Sequence, residues 1–330
     1  MRNLTCVLLL LIGLLLAGGP AGSPAAAAPA GPRIAWLAND PANTYDLAIY
    51  EGARAVVGRA GGTVAPFYAG FDPAVQLAQC RAAIAAGAFD ALVVIAASPT
   101  EILPCVSEAR AAGLPVGAAD LVIGEDQATV RPQAPGQVAA SFIPASRFGD
   151  GVAAILPELC AGLASCEVLY VAGVASFPID AYGLAAVKAA GGGVRLAAQA
   201  EAFYDTETAR QAVAAALAAH PEINVVIASG DQMALGAEQA ARELGVGLRI
   251  VGAGAGASAL EAVRSGRWFA TFNALPRSEG FLVATLLLRA LDGPAPPVGI
   301  DPVAGSGLPA WWTRSTLAAH PGFKGQWPGP

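Results

Sequence analysis

The chain has 330 residues, of which 55% are hydrophobic and 13% are charged, and its formal net charge is -6. A chain of this length and composition can bury large cores in two domains, and it has too little charge to be typical of a disordered protein. It has no run of basic residues, which disfavours nucleic acid as a partner.

The N-terminal segment has the three parts of a secretory signal peptide. A positively charged start, "MRN", precedes the apolar run "LTCVLLLLIGLLLAG" at 4–18, and small residues follow. We expect residues 1–30 to form a signal peptide cleaved somewhere within 19–31. A retained membrane anchor is the alternative, but the run is short for a membrane span. No later apolar run is long and uncharged enough to span a bilayer.

Four cysteines remain after that segment is removed: Cys80, Cys105, Cys160 and Cys166. An even number in an exported chain favours disulfides. Cys160 and Cys166 flank a short connection, and Cys80 and Cys105 lie on successive predicted helices, so each pair can meet. Buried free thiols are the alternative. No Cys-x-x-Cys motif or nearby histidine is present, so we expect no metal site.

Short apolar strands alternate with amphipathic helices from residue 33 onward, beginning with "RIAWLA" and "YDLAIYEGARAVVGRAGG". Continuous apolar strands between helices are typical of a parallel sheet covered on both faces. A Pro- and Gln-containing connection at 121–147 interrupts the alternation, which restarts at "CEVLYVAG" and ends with the buried helix "RSEGFLVATLLLRALDG". The predicted fold is therefore α/β, with two doubly wound parallel-sheet lobes and a cleft at the carboxyl ends of their strands.

Four stretches carry a resemblance to a known family: "NTYDLAIYEGA", "AAGLPVGAAD", "IASGDQMALGAEQA" and "SGRWFATFNALPRSEG". Through them, residues 33 to about 309 resemble the ribose-binding-protein-like family of periplasmic sugar-binding proteins. The resemblance implies an N-terminal lobe of 31–144 with 275–302 and a C-terminal lobe of 145–274 with 303–330. It places the three hinge segments near 143–146, 272–275 and 301–303.

The same resemblance implies a function. We expect a monomeric periplasmic protein without a cofactor that delivers its ligand to the permease of an ABC transporter in the inner membrane. A ligand-sensing partner of a membrane histidine kinase or chemoreceptor is the alternative.

Polar and aromatic side chains near the strand ends are the expected ligand-binding residues, on the resemblance and on their position. They are Asn43, Tyr45, Asp46, Ser98, Asp120, Asp180, Tyr182, Tyr204, Asp231 and Asn273. Carboxylates accept hydrogen bonds from hydroxyl groups and aromatic rings cover C–H faces, so we expect a small, neutral, hydroxylated ligand. Helix capping is the alternative role for Asn43 and Asp46, and for Asp231 it is the preferred one.

The resemblance also indicates lost contacts, because Gly230, Gly254 and Ala274 stand where the family usually has polar side chains. The expected ligand is therefore larger or less polar than ribose. No cation stands at the matching positions, which disfavours an anionic ligand, although Arg147 and Arg277 near the hinge leave that possibility open.

Enzymatic function is disfavoured. The glycine-rich run "GAGAGA" at 252–257 lacks the third glycine of a dinucleotide loop and the acidic residue that should follow it. Glycoside hydrolysis by facing carboxylates stays open at this point, because Asp46, Asp120 and Asp231 could face one cleft. We expect a binding protein rather than an enzyme.

Overall fold

The structure of the protein is a computed structural model that describes residues 31–330. The predicted signal peptide and its cleavage site lie outside this range. Within it, no helix combines the length and the apolar character needed to cross a membrane.

The strands alternate with the helices along most of the described chain. The strands are β1 (Arg33–Ala38), β2 (Thr63–Tyr68), β3 (Ala91–Val94), β4 (Val116–Ala119), β5 (Gln137–Ser141), β6 (Cys166–Ala172), β7 (Val194–Glu201), β8 (Val225–Ala228), β9 (Arg249–Ala253), β10 (Ala270–Phe272), β11 (Val298–Ile300) and β12 (Trp311–Thr313). The helices are α1 (Thr44–Arg59), α2 (Pro73–Ala85), α3 (Leu103–Ala111), α4 (Ala145–Leu159), α5 (Pro178–Ala189), α6 (Thr206–Ala219), α7 (Asp231–Leu244), α8 (Ala257–Ser265), α9 (Pro276–Asp292) and α10 (Arg314–Ala319).

The strands form two six-stranded sheets, with the orders β11-β5-β4-β3-β1-β2 and β12-β10-β9-β8-β6-β7. Every pairing is parallel except β10 with β12. Each sheet is covered on both faces, because successive strand residues point to opposite sides: Ile34 and Trp36 pack into one cluster, and Ala35 and Leu37 into another. The predicted fold class, two doubly wound α/β sheets, is confirmed.

The chain passes from one sheet to the other three times. β5 belongs to the first sheet, whereas α4 packs on the second through residues such as Phe148. β10 belongs to the second sheet, whereas α9 packs on the first through Val283 and Leu287. The third passage runs from β11 to β12. The predicted lobe boundaries, 31–144 with 275–302 and 145–274 with 303–330, stay a prediction about which residues move together.

Two disulfides join the cysteine pairs that the sequence favoured. Cys80 on α2 is bonded to Cys105 on α3, with 6.0 Å between the Cα atoms. Cys160 at the end of α4 is bonded to Cys166 at the start of β6, with 5.5 Å between the Cα atoms. The free-thiol alternative is wrong, and each sheet carries one disulfide beside it.

A strand lies inside the segment 121–147, which the sequence had indicated as a plain connection. β5 has the sequence "QVAAS", a short run of mainly small and polar residues in which Val138 is the one branched side chain of the kind that usually marks a strand. Its pairing with β4 and β11 stabilises the extended conformation that the local sequence only weakly favours.

The C-terminal segment, residues 321–330, folds back onto elements of both sheets. The buried indole of Trp327 donates a hydrogen bond from Nε1 to the carbonyl of Gly254, at 2.7 Å, after β9. The Gln326 side chain exchanges hydrogen bonds with Ser278 on α9, at 2.9 and 2.7 Å. This segment therefore connects the two halves of the fold beside the ends of their strands.

Candidate ligand-binding site

A cavity lies between the two sheets, where the carboxyl ends of β1, β4, β8 and β9 face one another. It holds about 730 Å³ of space between atoms, including its opening to solvent. Its lining consists of Asn39, Asn43, Tyr45, Asp46, Phe71, Asp120, Leu121, Ile143, Phe177, Ile179, Tyr204, Ser229, Gly230, Gln232, Ala253, Gly254, Phe272, Ala274 and Glu279.

Three carboxyl groups line the side of the cavity that belongs to the first sheet, and we call Asp46, Asp120 and Glu279 the acidic wall. Asp46 lies in the first turn of α1, Asp120 directly follows β4, and Glu279 lies in the first turn of α9. Glu279 Oε1 accepts a hydrogen bond from the Tyr45 hydroxyl at 3.4 Å, and its Oε2 is buried without a hydrogen-bond partner. The acidic wall thus presents acceptor oxygens that the protein leaves largely unused.

Burial gives these carboxyl groups raised pKa values. It raises the pKa of Asp120 to about 7. Burial, reinforced by the neighbouring charge of Asp120, raises the pKa of both Asp46 and Glu279 well above the usual range of a carboxyl group. The wall therefore holds protons near neutral pH unless a positive charge or hydrogen-bond donors approach it.

No lysine, arginine or histidine lines the cavity, which is formed within the described residues 31–330. The two arginines that had left an anionic ligand open are held elsewhere by carboxylates. Arg147 pairs with Asp301 at 2.6 Å, and Arg277 pairs with Glu51 at 2.8 Å. An anionic ligand would thus meet three carboxyl groups and no compensating cation.

The opposite side, which belongs to the second sheet, is mainly aromatic, and we call Phe177, Tyr204 and Phe272 the aromatic wall. The hydroxyl of Tyr204 donates to Asp180 Oδ2 at 3.0 Å. The hydroxyl of Ser229, which also lines this side, donates to Asp180 Oδ1. The polar groups of this wall are therefore bonded to the protein itself.

Backbone strain is concentrated around the cavity. Phe71, Asp120 and Tyr204 have φ values of 62°, 60° and 54°, in the left-handed region that side chains other than glycine rarely adopt. All three line the cavity. Such strain costs on the order of 1–3 kcal/mol per residue and is common where side chains are aimed at a ligand.

Residues 34–295 match the family model described as the periplasmic binding protein domain. The chain belongs to this family. The resemblance that the sequence motifs indicated is therefore confirmed. No sequence among the curated proteins matches the chain.

Three solved structures with the same fold are between 18% and 21% identical to this chain. An ABC transporter periplasmic solute-binding protein of Actinobacillus succinogenes 130z, with bound D-allose, has a TM-score of 0.72 at 21% identity, covering 87% of this chain and 99% of its own. A solute-binding protein of Bacillus halodurans C-125, with bound myo-inositol, has a TM-score of 0.73 at 18% identity, covering 88% and 98%. One of Mycobacterium smegmatis, with bound glycerol, has a TM-score of 0.72 at 21% identity, covering 89% and 98%.

Half of the residues expected at the site do line the cavity: Asn43, Tyr45, Asp46, Asp120 and Tyr204. Asn43 also caps α1, since its Oδ1 accepts hydrogen bonds from the backbone N–H groups of Tyr45 and Asp46 at 3.0 and 3.4 Å. The alternative role of Asn43 as a helix cap is thus confirmed, and the same residue also lines the cavity.

The other five residues do not line the cavity, and two of them are carboxylates used inside the protein. Asp180 accepts hydrogen bonds from the backbone N–H groups of Gly173 and Val174, at 2.8 and 3.0 Å, besides those from the aromatic wall. It supports Tyr204 from behind. Burial raises the pKa of Asp180 to about 6, although these hydrogen bonds oppose the rise.

The predicted capping role of Asp231 is wrong. The cap position of α7 is Gly230, which supplies no side chain, and Asp231 is the first helical residue. Its fully buried carboxylate accepts hydrogen bonds from Thr271 Oγ1 at 2.7 Å and from the N–H of Gly256 at 2.9 Å. Asp231 therefore joins α7 to β10 and to the start of α8. Since it does not line the cavity, Asp46, Asp120 and Asp231 do not face one cleft, and that basis for glycoside hydrolysis is lost.

The last three expected residues have local roles. Asn273 accepts a hydrogen bond from Trp312 Nε1 and donates one to the carbonyl of Pro309, both at 3.0 Å. Ser98 Oγ accepts from the N–H of Glu101 at 3.3 Å in a turn. Tyr182 is 38% exposed on α5. None of the three is brought to the cavity.

The most consequential residue that the sequence analysis missed is Glu279. Its signal in the sequence is an acidic residue on the otherwise apolar buried face of a helix, where an ionisable side chain is rare unless it has a partner. Gln232 was missed as well, and its Nε2 donates to Asn43 Oδ1 across the cavity at 3.2 Å.

The glycines at two family contact positions are explained by their neighbours. A Cβ atom on Gly254, where φ is 132°, would lie 2.8 Å from the Trp327 ring. A Cβ atom on Gly230 would lie 3.0 Å from the Tyr204 ring. Large aromatic side chains thus occupy the space that longer side chains would need at these positions.

Proposed function

We propose that this protein is a periplasmic solute-binding protein, that it captures a small hydroxylated ligand, a sugar, a polyol or a related compound, and that it delivers the ligand to an ABC importer. The observation that carries the proposal is the cavity between the two sheets, with unused acceptor oxygens on one wall and aromatic rings on the other. Ligand hydroxyl groups would donate to the acidic wall, and ring C–H groups would pack on the aromatic wall. The family and the ligands named for proteins of the same fold support this class.

Capture is proposed to occur by a hinge motion of the two lobes. The two sides of the cavity also contact each other directly: Gln232 donates to Asn43, and Phe71 packs on Phe177 with ring centroids 6.0 Å apart. The three passages of the chain between the sheets offer a hinge about which such contacts separate and re-form. Ligand contacts made only in the closed form would shift the population toward it.

A thermal-shift screen of sugars, polyols, nucleosides and small alcohols tests the ligand class. A ligand at about 100 times its Kd stabilises the folded protein by roughly 2.7 kcal/mol, which raises Tm by several degrees. We expect Asp120→Ala to abolish the shift, because it removes an acceptor from the cavity. Asp150→Ala is the matched control, since Asp150 is an exposed carboxylate of α4 outside the cavity.

Small-angle scattering tests the hinge. We expect the radius of gyration to fall when a ligand from the screen is added. A chain that shows no thermal shift with any compound and that hydrolyses a glycoside would contradict the proposed function.

A further inference from the structure

The acidic wall has more acceptor capacity than the protein satisfies. Within residues 31–330, no hydrogen bond reaches the carboxylate of Asp46 or that of Asp120. Glu279, which is 1% exposed, leaves Oε2 without a partner. Buried carboxyl oxygens of this kind are costly unless a bound group donates to them.

The cavity has fewer free side-chain donors than free acceptors. The Tyr45 hydroxyl donates to Glu279, the Ser229 hydroxyl to Asp180, and the Gln232 amide to Asn43. The side-chain amides of Asn39 and Asn43 are the remaining donors of the lining, whereas Asp46, Asp120 and Glu279 together present five carboxyl oxygens to which no described residue donates. A sugar hydroxyl both donates and accepts, whereas an ammonium group has three donors and no acceptor. The surplus of acceptors therefore favours a ligand group that only donates.

We propose that the natural ligand carries at least one ammonium group beside its hydroxyl groups, as in an amino sugar or an aminated polyol, and that Asp46, Asp120 and Glu279 surround this ammonium. The proposal rests on the proposed function and replaces the expectation of a neutral ligand. The aromatic rings that line the cavity add to it, since cations are attracted to the faces of such rings.

A metal ion fits this site less well than an ammonium group. Within the described part of the chain, no group of three or more His, Cys, Asp or Glu side chains is placed to hold one. The lining also combines the carboxyl groups with apolar aromatic rings rather than with the further oxygen ligands that hard cations require.

The charged form of the acidic wall is what an ammonium group would stabilise. The titratable groups around Asp120 are Tyr45 and Asp46 on α1, Glu279 on α9 and Tyr204 after β7. Asp40 raises the pKa of Asp46 and Asp301 raises that of Glu279. Arg147, the nearby cation, is paired with Asp301. Since the pKa of Asp120 is about 7, an ammonium group that binds at lower pH must displace a proton.

Isothermal titration calorimetry with matched ligands tests the proposal. Each set contains an amino sugar or aminated polyol, its hydroxyl parent and its N-acetylated form, for example glucosamine, glucose and N-acetylglucosamine. We expect the amine to bind at least about tenfold more tightly than its parent in the set that fits, because buried charge pairs contribute several kcal/mol. The N-acetyl form, which has lost the charge, should bind no better than the parent.

Proton release provides a second readout that a merely steric preference would not produce. Titrations at about pH 6 in buffers of different ionisation enthalpy should show about one proton released per amine bound, and none per hydroxyl parent. Affinity for the amine should rise from about pH 5.5 to about pH 7, as the carboxyl groups ionise while an amine with a pKa near 8 keeps its charge.

Carboxamide variants connect the effect to the acidic wall. Glu279→Gln and Asp120→Asn should each reduce the preference for the amine by about tenfold, one charge interaction being worth roughly that much. Glu101→Gln, an exposed control on the same lobe, should leave it unchanged. Parents that bind as tightly as their amines in every set, or amines that bind without releasing protons, would overturn the proposal and leave the proposed function intact. A complete absence of binding by amines and parents alike would overturn both.

Discussion

The two sides of the cavity place carboxylates in similar positions and use them in opposite ways. Asp120 in the first lobe and Asp231 in the second each follow a buried strand by one to three residues. Asp231 receives two hydrogen bonds from the protein, whereas no described residue donates to the carboxylate of Asp120. The position of a carboxylate relative to a strand therefore predicts where it lies. The hydrogen-bond donors around it determine whether it stabilises the fold or is free to bind a ligand.

The two aspartates differ in the hydrogen bonds that they accept, not in their burial. Burial raises the pKa of Asp120 and of Asp231 alike, to about 7 in both cases. In the second lobe the donors Thr271 and Gly256 offset that burial, although not completely. In the first lobe no donor offsets the cost of burying the Asp120 carboxylate, as expected of a group that is to accept hydrogen bonds from a ligand.

The largest expected loss of stability concerns the disulfides, one beside each sheet. They close loops with sequence separations of 25 and 6 residues. Loop entropy predicts that replacing Cys80 and Cys105 by serine costs about 3.5 kcal/mol of unfolding free energy, against about 2 kcal/mol for the other pair. Urea unfolding of the two double variants measures this, and equal losses would show that loop length does not set the difference between the lobes.

The second contrast tests the two aspartates directly. Asp231→Ala should lower the unfolding free energy by about 3 kcal/mol, because it opens space in a packed region and leaves Thr271 and Gly256 without an acceptor. At about pH 4, before ionisation of Asp120 lowers stability, Asp120→Ala should change the unfolding free energy by less than about 1 kcal/mol, since no protein donor is lost. Chemical denaturation of the ligand-free variants decides the point. A similar loss in both would contradict the division of roles.

The third prediction concerns pH. An aspartate has a pKa of about 3.9 in the unfolded chain, and that of Asp120 is about 7 in the folded protein. The folded state thus holds an extra proton between these values, and stability falls as pH rises through that window. Asp120→Asn should reduce this decline by up to about 1.4 kcal/mol per pH unit, the value for one proton.

Urea midpoints between about pH 4 and about pH 8 provide the measurement. At the acidic end, Asp120→Asn and the wild-type protein should be equally stable, because both side chains are then neutral. At the alkaline end the variant should be the more stable of the two. Parallel pH profiles for both proteins would show that Asp120 is not the group responsible.

The smallest expected effect is at the cap of α1. Asn43→Ala should cost about 1 kcal/mol, the usual value for a lost cap. Asn43→Asp is the matched control, because an aspartate also caps and its oxygen still accepts from Gln232. Thermal unfolding distinguishes them: loss in the alanine variant with near-normal stability in the aspartate variant is expected.

The sequence was sufficient for features that depend on local pattern. Apolar strands that alternate with amphipathic helices indicated both sheets, and Asp120 was expected at the cavity because it directly follows a buried strand. Asp205, which directly precedes α6, caps that helix, with Oδ1 accepting from the N–H of Thr208 at 2.7 Å.

Features that depend on distant partners could not be predicted in this way. The acceptor role of Asp231 requires Thr271, 40 residues further along the chain, and Gly256. β5 is a strand only because β4 and β11 pair with it. Glu279 joins the acidic wall through the packing of α9 against α1, which no local pattern specifies.

Because residues 321–330 fold back, the fluorescent side chain of Trp327 lies beside the cavity. Its indole is bonded to Gly254, and its ring stands edge-on to Tyr45 at a centroid distance of 5.6 Å. Both of those residues line the cavity. A molecule that fills the cavity therefore changes the surroundings of a natural fluorophore, so the emission of the unlabelled protein can follow occupancy in real time.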